Sequence, residues 1–131
     1  MNWGKILLTG VVGGVVLNLY QWLMHGFIMR STYESYAVFG RDPANPGWFF
    51  AVAVAIGIAG AMLFSKTRSA WGEGAKGGVM FGAFVGLIVF FGQFYFPLVI
   101  NEFPYYLAWC WGTINMIGWV IFGAVASFII K

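Results

Sequence analysis

Residues 5–29 read KILLTGVVGGVVLNLYQWLMHGFIM, with one lysine at the start, no acid and one histidine near the end. About 20 apolar residues in a helix cross the roughly 30 Å of hydrocarbon in a bilayer. This run is long enough. Its apolar residues fall on every side, whereas the strands of a membrane barrel alternate apolar with polar. In lipid the backbone must satisfy its own hydrogen bonds, so such a run is a helix. Three more segments read the same way, 48–64, 77–100 and 105–130. The second is short and rich in Ala, Val and Gly.

The composition agrees. Of 131 residues, 61% are hydrophobic, 21% aromatic and only 8% charged. Soluble domains carry about 25% charged residues, and a chain this small has too little interior to hide the excess apolar surface. The expected fold is a single all-α integral membrane domain over residues 1–131. It is a four-transmembrane-helix bundle running up-down-up-down, since short connections (30–47, 65–76 and a tight turn at 101–104) make neighbours antiparallel. The net charge of +3 comes from few groups and forms no basic aromatic patch, so no nucleic-acid partner is expected. The lipid bilayer is the expected partner, with other membrane subunits or copies of the chain. Cys110 is the one cysteine, which excludes an internal disulfide.

The N-terminal run has no small-residue cleavage pattern ahead of a polar start, so it reads as a retained helix and not a signal peptide. Lys5, Lys66, Arg68, Lys76 and Lys131 fall at one end of such a bundle, Arg30 and Arg41 at the other. Short loops rich in Lys and Arg stay in the cytoplasm. Both termini are therefore expected there. The opposite end carries Glu34, Asp42 and Glu102, and Trp3, Trp48, Trp71, Tyr105 and Tyr106 sit at span ends, where amphipathic rings favour the interface.

Small residues recur at helical spacing. Gly78, Gly82 and Gly86 follow Gly74 every four residues, and Gly10 and Gly14 do the same in the first span. Such faces let membrane helices approach closely and gain dispersion contacts. These five glycines are the expected packing positions. An offset of sixty-eight places Trp71, Gly78 and Gly82 on Trp3, Gly10 and Gly14, and Gln93 on His25. It suggests a parallel duplication of a helical hairpin, although the second and fourth spans align poorly.

The polar residues inside the spans are few. Asn18, Gln21 and His25 lie within about 60° on a helical wheel, next to Gly14. Gln93 continues the glycine face of the third span, and Asn115 lies near Trp111 in the fourth. An unpaired buried amide costs a few kcal/mol, so this stripe is expected to face protein. Either it links helices by hydrogen bonds, or it lines a pocket open to the outer side, since intramembrane ionisable groups are functional candidates. His25 also offers one axial bond to a haem or a chlorophyll-type pigment. No cofactor is otherwise expected: HExxH, CxxC and CxxCH are absent, leaving no metal set. GEGAKGG (72–78) lacks the GK[ST] of a phosphate loop. No nucleophile elbow and no second histidine occur, so no catalytic residue is expected.

The first connection, STYESYAVFGRDPANPGW (31–48), carries Tyr33, Tyr36 and Phe39 ahead of a DPANPG turn. It reads either as a segment anchored at the bilayer surface or as a contact for an extracytoplasmic partner.

In its four-span layout, its glycine-led first helix and its near absence of loops, the chain resembles the small four-helix inner-membrane proteins of bacteria. The resemblance implies a bacterial inner-membrane location and transfers no site residue. Three functions fit this reading: a non-enzymatic accessory or scaffold subunit, a small transporter or ligand-binding protein with an outward polar pocket, and a haem- or pigment-binding subunit. Aromatics crowded between Phe81 and Phe96 exceed what one thin core needs, which favours the first.

Overall fold

The computed structural model describes residues 2–37, 39, 45–100 and 102–131. Six helices follow one another with no strand among the described residues: α1 (Trp3–Gln21), α2 (Arg30–Glu34), α3 (Gly47–Thr67), α4 (Gly74–Gly92), α5 (Tyr95–Val99) and α6 (Tyr105–Ile129). A π-helical turn, Trp22–Ile28, prolongs α1, and a 3-10 turn, Arg68–Ala70, ends α3. Four stretches are long and apolar enough to cross a membrane, Trp3–Ile28, Gly47–Ala70, Gly74–Val99 and Tyr105–Ile129. The chain is thus an all-α membrane bundle of four spans.

Local chemistry sets the ends. The Asn2 Oδ1 accepts from the Lys5 N–H at 3.1 Å and caps α1. The second span runs past the expected residue 64 because Thr67 and Trp71 close it with their own bonds. The Thr67 hydroxyl donates to the Leu63 carbonyl at 2.8 Å and accepts from the Trp71 indole at 2.7 Å. Gly72 and Gly74 turn the chain into α4 at positive φ, +78° and +63°, a region open to glycine at little cost. The expected third span (77–100) is divided in two. Pro97 has no N–H to give and its ring crowds the carbonyl four residues back, at Gln93, so the helix breaks at Gln93–Phe94 before α5.

Packing joins the helices as two hairpins, α1 with α3 and α4 with α6, and α1 against α6 holds the hairpins together. Within each hairpin two backbones nearly touch. A methyl group at Gly78 would land on the Gly123 carbonyl, and one at Gly57 on the Gly10 carbonyl, with Gly14 adjacent. Gly82 lies against the Trp119 carbonyl and Gly86 against Met116. All five glycines expected as packing positions therefore sit at helix–helix approaches too close for a side chain. Phe122, fully buried, fills the hollow between Gly13 of α1 and Gly60 of α3.

The principal core lies toward the basic end. It gathers Ile6, Leu17, Ala61, Phe64, Phe81, Phe122, Ala126 and Ile130, with the Phe64 and Phe81 rings 5.0 Å apart. The buried residues of α3 all fall in its second half, and those of α4 all fall before Leu87. The first half of α3 and the far end of the third span turn large apolar groups outward, among them Trp48, Phe49, Ile88 and Phe91. At that end a second, smaller cluster forms around Met29, Leu107 and Ile114.

Candidate functional site

The second cluster encloses the polar side chains. The Gln21 amide of α1 donates to the Asn115 Oδ1 of α6 at 3.1 Å, and Asn115 Nδ2 donates to the Trp111 carbonyl one turn back at 2.9 Å. Asn115 is thus an acceptor toward α1 and a donor within its own helix. The Trp111 indole N–H donates to the Tyr33 hydroxyl at 2.7 Å, and the same oxygen lies 2.5 Å from His25 Nδ1. The imidazole and phenol rings are near-parallel, at 18°. Phe39 lies edge-on to Trp111 and tilted on Tyr33, and Phe103 closes the other side of Trp111. Tyr36 and Tyr106 share a hydrogen bond of 3.1 Å at the rim.

Two local features bring His25 to Tyr33. The π-helical turn, marked by the Met29 N–H reaching back to the Met24 carbonyl at 2.9 Å, spreads the helix where His25 stands. Single π turns recur at functional positions. The chain then re-forms as α2, whose Tyr33 N–H bonds the Met29 carbonyl at 3.0 Å and which carries the phenol back over the imidazole.

The hydrogens of this cluster have two complete arrangements. The Tyr33 oxygen accepts from Trp111 and has one proton to give. If the proton goes to His25 Nδ1, the imidazole hydrogen sits on Nε2. If it goes to the Met29 sulfur, 3.5 Å away, then Nδ1–H donates to Tyr33 and the Nε2 lone pair is left open. The imidazole tautomer, Nε2–H with the phenol donating to Nδ1 or Nδ1–H with the phenol turned to Met29, decides whether His25 Nε2 donates or accepts. Burial raises the Tyr33 phenol above its ordinary value of 10.0, against the opposing pull of the Trp111 N–H, and the nearby Cys110 adds to the rise. The phenol keeps its proton at neutral pH.

Of the five polar residues singled out from the sequence, the structure joins Gln21 directly to Asn115 and brings His25 into the same cluster through Tyr33 and Trp111. Asn18 is half-buried on α1, and its side-chain amide has no partner among the described residues. Gln93 stands at the break between α4 and α5, likewise half-buried, with only its backbone N–H bonded. Tyr33 and Trp111 were not singled out as site residues. Their signal was present, since a Tyr and a Trp near a lone histidine bring O–H and N–H groups that need partners when buried. The segment expected to lie on the bilayer surface instead folds Tyr33 and Phe39 onto α6. The DPANPG turn expected at 42–47 lies largely outside the described residues.

Two open grooves lie at the other end of the bundle, around Arg68. No group of three or more His, Cys, Asp or Glu side chains placed to hold a metal occurs among the described residues. No family model, curated protein or solved structure matches the chain.

Proposed function

We propose that the chain is a non-enzymatic integral membrane subunit that packs its outward apolar faces against other membrane helices, its own copies or a larger complex. The supporting observation is where the polar groups go. Gln21, Asn115, Trp111, Tyr33 and His25 bond one another across α1, α2 and α6. A cluster of this kind fixes helix orientation. The outer faces of α3 and α4 remain for neighbours. The test is native mass spectrometry of gently solubilised protein. Species above the 14.5 kDa monomer, as defined homo- or hetero-oligomers, are expected, and monomers alone at all protein concentrations would overturn the reading.

A second reading has one observation in its favour. His25 Nδ1 is engaged by Tyr33, and in the Nδ1–H tautomer its Nε2 lone pair is open, so the cluster suits a small hydrogen-bonding ligand or one axial bond to a haem or pigment. His25→Ala separates the readings. As part of a structural cluster, it lowers thermal stability; as a ligand site, it abolishes binding and leaves stability nearly unchanged. Visible absorption of the purified protein tests the cofactor branch.

The distribution of Lys and Arg supports a topology with both termini in the cytoplasm, and the four-span layout supports a bacterial inner-membrane location. Cysteine substitutions at Ser69 and Ser35 test this in cells. A membrane-impermeant maleimide is expected to reach Ser35→Cys and not Ser69→Cys.

A further inference from the structure

Charge is divided unevenly between the ends. Lys5 opens α1, Lys66 nears the end of α3, Arg68 starts the 3-10 turn, Lys76 opens α4 and Lys131 follows α6. Against these five cations that end carries one acidic side chain, Glu73. Arg68 is anchored rather than neutralised. Its Nε donates to the Ile130 carbonyl at 3.3 Å, its Nη1 to the Gly72 carbonyl, and its guanidinium stands 5.5 Å from the centre of the Phe64 ring. Carbonyls and a ring fix the group and leave its charge in place. The remaining guanidinium N–H groups are available to an acceptor.

Two open grooves meet at Arg68. One, about 480 Å³, lies between Ser65, Lys66, Ser69 and Glu73. The other, about 310 Å³, lies between Glu73, Ser127, Phe128 and Lys131. Both open where the second and fourth spans end, and the end of a membrane span is where headgroups begin. Phe128, 67% exposed, is an apolar wall beside the cations.

We propose that this end docks an anionic phospholipid, with Arg68 hydrogen-bonded to the phosphodiester, Lys66 and Lys131 flanking it, and the first acyl carbons along Phe128. Basic pockets between membrane helices recognise acidic headgroups in this way. A planar guanidinium with fixed geometry suits two phosphate oxygens better than a mobile ammonium does. Glu73 lines both grooves and opposes a free phosphate dianion more than a singly charged phosphodiester. The apolar wall adds affinity only for a lipid.

The test uses the full chain in mild detergent, with phosphatidylglycerol and phosphatidylcholine supplied equally and retention read by native mass spectrometry. Phosphatidylglycerol is expected to be retained about 25-fold more, since each of the three basic groups contributes on the order of a fivefold preference and Glu73 offsets one of them. The double variant Lys66→Gln/Lys131→Gln leaves the Arg68 bonds intact and is expected to lose most of that preference with unchanged circular dichroism. Arg68→Gln is expected to lose all of it. Lys5→Gln, which lies on the same end but outside both grooves, is expected to keep it. Equal retention of the two lipids overturns the proposal. So does a loss in Lys5→Gln as large as in the double variant, which would mean a diffuse field, and so does displacement of the lipid by inorganic phosphate.

Discussion

Asn115 shows how much one amide carries at the residue scale. It joins α1 to α6 through Gln21 and ties itself to the Trp111 carbonyl. Asn115→Leu is expected to cost about 1–2 kcal/mol, the upper range for hydrogen bonds between membrane helices, because the Gln21 donor is left unpaired. Adding Gln21→Leu removes that orphan and is expected to recover part of the loss. Reversible unfolding in mixed detergent micelles measures the cycle, and additive losses would mean the two amides are not coupled. Tyr33→Phe strips a partner from both Trp111 and His25 and is expected to lower thermal stability. Alkali reaches the same oxygen. The folded protein holds the phenolic proton more tightly than the unfolded chain, so this contribution is complete below pH about 10 and fades as pH rises through the higher folded value. Tyrosinate absorbance, compared between the wild type and Tyr33→Phe, locates that ionisation above 10. The pairing of Gln21 with Asn115 lay within reach of helical wheels, since an intramembrane amide needs a partner. The path from His25 through Tyr33 to Trp111 did not. It depends on a π turn and on a loop folding inward, neither of which has a periodic signature.

The spans themselves were plainly legible at the scale of the element, because hydropathy over twenty residues is a large signal and lipid leaves the backbone few alternatives. Boundaries were less so. Thr67 and Trp71 extend α3 with side-chain bonds that hydropathy does not register. Pro97 did carry a readable instruction to break the third span near Gln93. The glycine faces divide into those under compression and those in the open. Gly78→Ala is expected to push α4 off α6 and cost about 1–3 kcal/mol, as overpacking does, because the added carbon falls on the Gly123 carbonyl. Gly92→Ala, in the same helix but with nothing within 4 Å, is expected to change stability by less than about 0.5 kcal/mol. Thermal unfolding of the two variants side by side checks the contrast; equal losses would mean that the close approach to Gly123 does not set the cost, since helix propensity favours alanine at both positions.

The arrangement of the whole molecule was only half visible beforehand. Antiparallel neighbours followed from short connections, but which hairpin faces meet did not, since every helix is apolar on all sides. Residues Gly10 and Gly78, sixty-eight apart, each approach a glycine of the next long helix, Gly57 and Gly123. The partner glycines are only sixty-six apart, so the two hairpins share a kind of packing and not a common register. The likeness stops at the polar end, where His25 is bonded and the side chain of Gln93 is not. The seam between hairpins is formed chiefly by α1 against α6. Co-expressed pieces 1–71 and 72–131 are therefore expected to reassemble and co-purify, and Asn115→Leu in the second piece is expected to weaken that recovery severalfold. The same seam has a consequence for biogenesis. Helix α1 is synthesised ahead of α3 and α4, and its polar partner lies on α6, so Gln21 must wait through the synthesis of two further spans before its bond can close. A nascent chain halted before residue 105 would display an unsatisfied amide to lipid, a signal that membrane quality control can read.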